Sequence, residues 1–261
     1  MRKIRFGPRS FVKLVYPDGL CCCLCGDELF DDKDFCSDCE PPVLSHVCRV
    51  CGRALPDESG REYCDGCLNG QRGLLFNAAR APYSYADERV KHLIWNLKYN
   101  DATYLAEVLA KPMVEVLLKQ DWEVDVITYV PMHPRKQRMR AYNQAQLLAR
   151  EVGRLTGLPV ETLLSKLVYS KKSATKLGRA DRVKLLEGSF GLTGQNVRGK
   201  SVLLVDDVMT SSTTVNECSK MLRLAKAAKV YVLTVATSLG EKLITYDPND
   251  KSLDPYDEFD E

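Results

Sequence analysis

The sequence lacks a long apolar run. No stretch of its 261 residues approaches the length of about eighteen consecutive apolar residues that a membrane-spanning helix needs. Residues 1–13 are basic, but they lack the apolar segment of a secretory signal. We therefore expect no membrane span and a cytoplasmic location.

The chain also has little net charge, +2 at pH 7, but the charge is unevenly distributed. Residues 133–184 hold thirteen Lys or Arg against three Asp or Glu, whereas residues 241–261 hold eight acids against two lysines. The basic segment favours a polyanionic partner, either single-stranded DNA or a phosphorylated small molecule. The alternative is a solvated loop and helix face. The acidic segment predicts a flexible, solvating tail.

Cysteine is nearly absent outside one segment, since ten of the eleven lie between positions 21 and 67. In a reducing compartment such clustering favours metal over disulfides. Two-residue spacing lets both thiolates of a tight turn bind one ion, and two such pairs complete a tetrahedral zinc site. We predict two structural Zn²⁺ sites in sequential sets, formed by Cys22, Cys25, Cys36 and Cys39, and by Cys48, Cys51, Cys64 and Cys67.

Some alternatives remain at these cysteines. Cys21 and Cys23 flank Cys22, which leaves the first pair uncertain by one residue. An iron–sulfur cluster is the alternative metal centre, and His46 is an alternative ligand. The isolated Cys218 lies on the apolar face of a predicted helix, so we expect it in the core.

A phosphate loop of the nucleoside-triphosphatase type needs a strand before it and a helix after it. Residues 194–201, GQNVRGKS, match G-x-x-x-x-G-K-[ST] letter for letter, but the apolar run Val202–Val205 follows at once. We therefore predict no nucleoside-triphosphate site here and expect Lys200 to be solvated.

A different anion-binding pattern begins at Val202. Four consecutive aliphatic residues predict a central parallel strand, and Asp206 and Asp207 follow at the end where open α/β sheets bind ligands. The hydroxyl-rich loop Thr210–Thr214 then enters an amphipathic helix, whose N-terminal amides can bind a phosphate. We expect the loop to bind a sugar phosphate, and the two carboxylates, at the exposed end of the strand, to accept from ribose hydroxyls.

A second strand-to-helix unit accompanies this loop. Residues 125–131 predict a buried strand, residues 132–144 read MHPRKQRMRAYNQ, and an amphipathic helix follows until Gly157. Together with the cysteine pairs and Leu97-Lys98-Tyr99 after a helix, these segments resemble the ComF family over roughly residues 14–238. That competence-associated family joins a double zinc ribbon to a phosphoribosyltransferase-type domain.

The resemblance implies a fold and a ligand. The fold would be α/β, with a type I phosphoribosyltransferase-like parallel sheet flanked by helices and an N-terminal double zinc ribbon. The ligand would be phosphoribosyl diphosphate (PRPP) with Mg²⁺. Asp206 and Asp207 would bind the ribose. The 5′-phosphate would bind the hydroxyl-rich loop, that is Thr210, Ser211, Ser212, Thr213 and Thr214. Met132 and His133 would bind the diphosphate, and Arg135 would be a further contact to the diphosphate or to DNA.

Two functions follow from the same resemblance. The favoured one is a PRPP-binding cytoplasmic protein that assists single-stranded DNA uptake in natural transformation, with proteins of the competence machinery as partners. The alternative is an active phosphoribosyltransferase in nucleotide metabolism or salvage. The sequence reveals no nucleobase pocket and no catalytic residue, and His133 is not expected to transfer a proton.

Three positions depart from the family pattern. Ser212 stands where these loops usually carry glycine, Ala141 where an Arg-Gly pair is common, and Lys226-Ala227 where Gly-Ala is usual. A serine held at positive φ costs about 1 kcal/mol or more. Two outcomes follow for Ser212: backbone strain would weaken or abolish PRPP binding, whereas a hydroxyl that donates to the phosphate would strengthen it.

The predicted organisation has four parts: a basic lead at 1–19, a double zinc ribbon at 20–72, a phosphoribosyltransferase-like domain at 73–239 and an acidic flexible tail at 240–261. Residues 74–85 read as an edge strand or hairpin arm. A helix over 105–117 is expected to be kinked or divided at Pro112. Residues 169–189 correspond in the family to a mobile stretch that can close over the site.

Overall fold

The computed structural model describes residues 21–31, 33–55, 60–70, 73–169, 186 and 188–238. The predicted basic lead and acidic tail lie outside these residues, as does most of the stretch 169–189. Within the described part, no helix combines the length and apolar character needed to cross a membrane.

A parallel sheet forms the centre of the fold, in the order β1-β7-β6-β3. The strands of the chain are β1 Ala78–Arg80, β2 Tyr83–Ser84, β3 Val126–Tyr129, β4 Leu164–Lys166, β5 Phe190–Leu192, β6 Ser201–Met209 and β7 Lys229–Thr237. The central strands β6 and β7 are buried along almost their whole length. Strands buried on both faces require apolar residues at consecutive positions, which is why Val202–Val205 does not alternate.

The edge of this sheet is formed by two short segments. Both β1 and β2 pair with β7 in the parallel sense, with Ala78 opposite Tyr231 and Tyr83 opposite Ala236. Residues 74–85 therefore form an interrupted edge strand and no hairpin arm.

Helices cover both faces of the sheet. They are α1 Asp65–Leu68, α2 Glu88–Tyr99, α3 Leu105–Leu118, α4 Pro134–Arg140, α5 Gln144–Thr156 and α6 Thr213–Leu224. The apolar sides of α2, α3 and α5 pack with Leu203, Val205 and Leu233 on one face. On the other, α6 and the antiparallel pair β4-β5 pack with Val202 and Leu204. Alternate residues of β6 thus face two different cores.

Helix α3 runs through Pro112 without interruption. Of the two predicted outcomes, division of the segment at this proline is wrong, because one helix with a buried apolar stripe continues on both sides of it. A kink at Pro112 stays a prediction.

Helix α5 is fixed at both ends by residues that the sequence identifies. The Asn143 side chain accepts from the Ala145 amide at 3.0 Å and donates to the Val130 carbonyl at 3.0 Å. Gly157 ends the helix at φ 76°. Because Asn143 both caps α5 and binds the residue after β3, the first turn of α5 lies beside the end of β3, close to the carboxyl edge of the sheet.

The N-terminal segment packs against the α/β part. Leu29 and Phe35 are buried in the core that includes α3. The Lys111 ammonium on α3 lies 2.7 Å from the Asp34 carboxylate, and the Arg89 guanidinium on α2 donates to the Glu40 carbonyl at 3.1 Å. The first cysteine set is therefore adjacent to α2 and α3.

Candidate phosphoribosyl-binding site

The loop between β6 and α6 forms a small concavity at the carboxyl edge of the sheet. Among the described residues, nine line it: Asp206, Val208, Met209, Thr210, Ser211, Ser212, Thr213, Thr214 and Val215. Five of these are the predicted hydroxyl-bearing residues of the loop. The concavity opens at the first turn of α6, where backbone N–H groups have no partner within the helix. This arrangement suits an anion such as a phosphate.

Ser212 occupies the N-cap position of α6 in the left-handed region, at φ 61°. It is 5% exposed, and its hydroxyl oxygen has no hydrogen-bond partner among the described residues. A buried hydroxyl without a partner costs about 1–3 kcal/mol, and the positive φ adds about 1 kcal/mol or more. Ser212 therefore carries two local costs at the mouth of the anion-binding loop.

All three departures from the family pattern have the backbone conformation that favours glycine. Ala141 has φ 68° and Lys226 has φ 65°, and both stand just after the end of a helix, α4 and α6 respectively. Among the described residues, four that are not glycine have positive φ. Three of them are the departures from the family pattern, and the fourth is Asp101.

The two carboxylates of β6 are buried, with Asp206 8% and Asp207 6% exposed. The expectation that they lie at an exposed end is wrong, because β6 continues to Met209 and carries both residues into the sheet. Asp207 Oδ2 lies 2.8 Å from the Lys98 ammonium and accepts from the Gln144 amide at 3.1 Å. Lys98 and Gln144 therefore hold Asp207 from two helices, α2 and α5.

The pKa values of the two neighbouring carboxyl groups shift in opposite directions. Burial raises the pKa of Asp206 well above its ordinary value, and the negative charge of Asp207 adds to this effect. Burial also acts to raise the pKa of Asp207, but the positive charge of Lys98 outweighs it, so that the pKa of Asp207 is lowered. The negative charge of the pair is thus favoured on Asp207, which is paired with Lys98.

The second predicted loop lies beside the first. Strand β3 pairs with β6 so that Tyr129 is opposite Val205, and the Val130 amide donates to the Val205 carbonyl at 2.9 Å. Met132 and His133 follow directly, at the same edge of the sheet as Asp206. The topology therefore brings together the two loops that the sequence pattern separates by more than seventy positions.

His133 has a structural task in this loop. Its Nδ1 accepts from the Arg135 amide at 3.1 Å and so caps α4. The Arg135 guanidinium lies 4.7 Å from the centre of the Tyr169 ring. This hydrogen bond satisfies one of the backbone amides in the first turn of α4. That His133 transfers no proton stays a prediction.

Helix α4 presents further basic side chains to solvent. None of its residues is buried, and Arg138 and Arg140 lie in its last turn. The Arg140 guanidinium lies 4.5 Å from the centre of the Tyr99 ring, which is itself 48% exposed. Much of the remaining basic segment, residues 170–185, lies outside the described residues.

Three residues at the site have no role in the sequence prediction. Lys98 belongs to the Leu97-Lys98-Tyr99 segment, Gln144 ends the second loop segment, and Arg53 comes from the cysteine-rich region. The Arg53 guanidinium donates to the Thr210 carbonyl at 2.9 Å. The sequence offers a signal for Lys98 and Gln144, because both stand in segments typical of the family, but none for Arg53.

The cysteines form the two predicted sets. Within each set, the four sulfur atoms lie within 4.8 Å of one another. Cys25 and Cys36 have sulfurs 3.8 Å apart, and Cys51 and Cys64 have sulfurs 3.6 Å apart. A tetrahedral zinc site with Zn–S bonds of about 2.3 Å requires sulfurs about 3.8 Å apart. Both sets can therefore hold a zinc ion.

The remaining candidates lie outside these sets. His46 Nε2 donates to the Arg61 carbonyl at 2.7 Å, and Cys21 and Cys23 belong to neither set. The first pair is thus Cys22 and Cys25. Cys218 is fully buried between α6 and the sheet, as predicted.

The residues 194–201 lead directly into β6, in agreement with the sequence pattern. Lys200 is partly exposed, and its ammonium lies 3.8 Å from the Glu161 carboxylate. A strand, and not a helix, follows the sequence GKS, so the backbone geometry of a nucleoside-triphosphate loop is not formed there.

Comparison with known proteins found no matching protein-family model. The chain is 28% identical over 228 residues to competence protein F of Haemophilus influenzae, a match that covers 82% of this chain and 96% of that protein. It is 24% identical over 216 residues to competence protein ComFC of Bacillus subtilis, covering 79% and 85%. It is 26% identical over 222 residues to DNA utilization protein YhgH of Salmonella typhimurium, covering 76% and 94%.

Solved structures match about half of the chain. One is an allosteric regulatory enzyme of purine biosynthesis, with 27% identity, a TM-score of 0.34, and coverage of 50% of this chain and 25% of that one. Another is a purine phosphoribosyltransferase from Pyrococcus horikoshii, with 14% identity, a TM-score of 0.33, and coverage of 50% and 71%.

The sheet order and the cysteine geometry confirm the predicted fold class. The chain has a parallel sheet flanked by helices, as the α/β class requires. Its two N-terminal clusters of four cysteines fit a double zinc ribbon.

Proposed function

The chain resembles the ComF family over most of its length, and we propose that it is a competence-related protein that binds PRPP and assists single-stranded DNA uptake in the cytoplasm. One observation carries the ligand proposal. The buried Ser212 hydroxyl, which has no partner among the described residues, lies at the N-terminus of α6 in a concavity that also contains Asp206. A phosphate there would supply the missing hydrogen-bond partner.

The phosphate end of the ligand would bind the loop Thr210–Thr214. A phosphate accepts hydrogen bonds from the backbone N–H groups of the first turn of α6, and its negative charge interacts favourably with the helix dipole. The hydroxyls of Ser211 and Thr213 lie 2.9 Å apart and line the same concavity. The 5′-phosphate of PRPP fits this set of donors.

The ribose would bind next to the phosphate, at Asp206 and Asp207. Both carboxyl groups can accept from vicinal hydroxyls, and Lys98 keeps Asp207 ionised for that purpose, because its positive charge lowers the pKa of Asp207. Because the pKa of Asp206 is raised, it can also donate a hydrogen bond while it is protonated. This chemistry favours a polyhydroxylated ligand over a simple inorganic anion.

The diphosphate would extend toward the neighbouring loop. Met132, His133 and Arg135 follow β3 at the same edge of the sheet. Mg²⁺ would bind together with the diphosphate and neutralise part of its charge. The Arg135 side chain would contribute a positive charge on the same side.

Single-stranded DNA is proposed as the second partner. The relatives include competence proteins and a DNA utilization protein. In this chain, the arginines of α4, none of which is buried, and the exposed Tyr99 ring would provide charges for phosphates and a surface for base stacking. Proteins of the competence machinery remain proposed partners on the same basis. The four-part division at residues 19, 72 and 239 remains a prediction.

An active phosphoribosyltransferase is the alternative function. In that reaction the bond from C1 to diphosphate breaks as an acceptor nitrogen bonds to C1, and positive charge develops on the ribose. Asp206 and Asp207 lie where carboxylates could stabilise that charge. The binding function is favoured because the curated relatives include two competence proteins and a DNA utilization protein.

Calorimetric titration with PRPP and Mg²⁺, alongside a labelled single-stranded oligonucleotide, tests the proposal. We expect PRPP to bind and no diphosphate to be released with any base in a panel of nucleobases. Diphosphate release with one of the bases would establish the alternative. Absence of PRPP binding in protein of full zinc content would contradict both functions.

A further inference from the structure

A side chain from the cysteine-rich region reaches the phosphate loop. Arg53, 8% exposed, follows directly on Cys51 and Gly52, and its guanidinium donates to the Thr210 carbonyl at 2.9 Å. Thr210 stands at the point where β6 ends and the loop begins. The hydrogen bond joins two segments that are 157 positions apart in the sequence.

The same loop carbonyl is also fixed from the sheet. The Ser238 hydroxyl donates to the Thr210 carbonyl at 3.1 Å, and the Ser238 amide donates to the Met209 carbonyl at 3.2 Å. Arg53 therefore acts with the end of β7 to set the path of the chain as it enters the loop. Without either hydrogen bond, the following residues, Ser211 and Ser212, could adopt other conformations.

The turn that carries Arg53 is docked on the sheet edge. The Ala79 amide donates to the Val50 carbonyl at 2.9 Å, and Arg80 donates to the Arg49 carbonyl at 2.9 Å. Gly52 approaches so closely that a Cβ there would stand 2.4 Å from the Ala79 carbonyl oxygen. The turn cannot shift along β1 without breaking these hydrogen bonds.

The shape of this turn depends on the second cysteine set. The Cys48 amide donates to the Arg53 carbonyl at 2.8 Å, and the Gly52 amide donates to the Cys48 carbonyl at 2.9 Å. Cys48 and Cys51 belong to one set of four sulfurs that can hold zinc. Bound zinc would tie this turn to Cys64 and Cys67, and so fix the backbone from which the Arg53 side chain extends.

We infer that Arg53 is a positioning residue for the phosphate loop, and that the second cysteine set controls, through Arg53, the affinity of the loop for a phosphorylated sugar. This inference rests on the proposed binding function. The first cysteine set lies elsewhere, since Asp34 and Glu40 of its segment contact α3 and α2. The two sets thus contact different parts of the fold.

Arg53→Met tests the positioning role, because methionine keeps an unbranched apolar side chain but donates no hydrogen bond. We expect the variant to bind PRPP, and also ribose 5-phosphate, about tenfold more weakly. Its zinc content should equal that of the unaltered protein. Arg53→Lys should recover part of the affinity, since an ammonium can also donate to the Thr210 carbonyl. Full affinity in Arg53→Met would overturn the inference.

Arg49→Ala is the matched control. Arg49 belongs to the same turn, but its side chain is largely exposed and pairs with Glu62. We expect unchanged affinity for both ligands. An equal loss in Arg49→Ala and Arg53→Met would indicate a general disturbance of the turn and would overturn a specific role of Arg53.

Hydrogen exchange of the loop amides provides a readout that needs no ligand. In Arg53→Met, the amides of residues 211–214 should exchange faster, while those of α3 should be unchanged. Cys51→Ser should have the same effect, and Cys25→Ser, in the first set, should leave the loop unaffected. If the unaltered protein binds no PRPP, the proposed function fails, but faster exchange in Arg53→Met would still support the positioning role. Unchanged exchange would contradict it.

Discussion

The Lys98 ammonium lies 2.8 Å from the Asp207 carboxylate, joining α2 to the central strand β6. The side chains are 22% and 9% exposed, so water screens the pair only weakly. The Gln144 amide donates to the same carboxylate oxygen. Asp207 is therefore held in position before any ligand binds.

Replacing Lys98 with methionine should destabilise the protein by about 2–3 kcal/mol, because Asp207 would remain buried without its positive partner. Urea unfolding at neutral pH measures the change. Lys91→Met is the control on the same helix, since Lys91 pairs with the exposed Glu88. It should cost less than about 1 kcal/mol. An equal loss of stability in the two variants would show that the buried Lys98–Asp207 pair stabilises the protein no more than an exposed ion pair does.

The stability of the Asp206→Asn variant should increase relative to that of the unaltered protein as the pH rises. The pKa of Asp206 is raised on folding, by burial and by Asp207. The stability that this group contributes is therefore fully present below its ordinary pKa of about 4, and it is lost as pH rises through the folded value. Asparagine does not ionise and avoids that loss.

Unfolding measured at a series of pH values from about 4 upward checks this difference. A stability difference that is independent of pH would mean that the pKa of Asp206 is not raised. Replacing both Asp206 and Asp207 with asparagine should remove most PRPP affinity, because the negative charge proposed to bind the ribose hydroxyls is then lost.

Ser212→Gly should stabilise the free protein by about 1 kcal/mol and weaken phosphate binding about tenfold. Glycine relieves the positive φ and removes a buried hydroxyl that has no partner among the described residues. The same change removes a proposed donor to the phosphate. Thermal unfolding and calorimetry with ribose 5-phosphate measure the two effects separately.

Lys226→Gly is the control for backbone strain. Lys226 also has positive φ, at 65°, but it follows the far end of α6. It should gain stability without a change in affinity. Tighter phosphate binding in Ser212→Gly would mean that strain, and not the missing hydroxyl, governs the loop.

Purified protein should contain about two zinc ions per chain, one for each set of four cysteines. Cys25→Ser should retain about one, and Cys21→Ser should retain both, because Cys21 belongs to neither set. Metal analysis by mass spectrometry measures the content. An iron–sulfur absorption band, or the loss of zinc in Cys21→Ser, would contradict the assignment.

Replacing Arg138 and Arg140 with glutamine should weaken single-stranded DNA binding and lower its salt dependence. For each phosphate of a single strand that the variant no longer neutralises, the slope of log affinity against log salt falls by about 0.7. Binding measured from low to moderate salt checks the slope. Arg154→Gln is the control, since Arg154 pairs with Glu107 and Glu151. Salt-insensitive binding, or none at low salt, would contradict the DNA proposal.

Local sequence patterns were sufficient to predict the two cysteine clusters, the strand that begins near Val202 and the helix α5. The Cys-x-x-Cys spacing determines which sulfurs can share an ion, because the two residues between them form a tight turn. The unbroken apolar run at Val202 predicts a strand buried on both faces, and the 3.6-residue apolar period after Asn143 predicts α5. These features depend on neighbours in the sequence, so the sequence by itself determined them.

Only the tertiary structure decided how the site is held. The burial of Asp206 and Asp207 depends on the helices that cover β6, and the ion pair with Lys98 depends on the docking of α2. The hydrogen bond from Arg53 to Thr210 depends on how the cysteine-rich turn lies against β1. Such interactions join residues far apart in the chain, and their energies come from burial and exclusion of water, which no local spacing encodes.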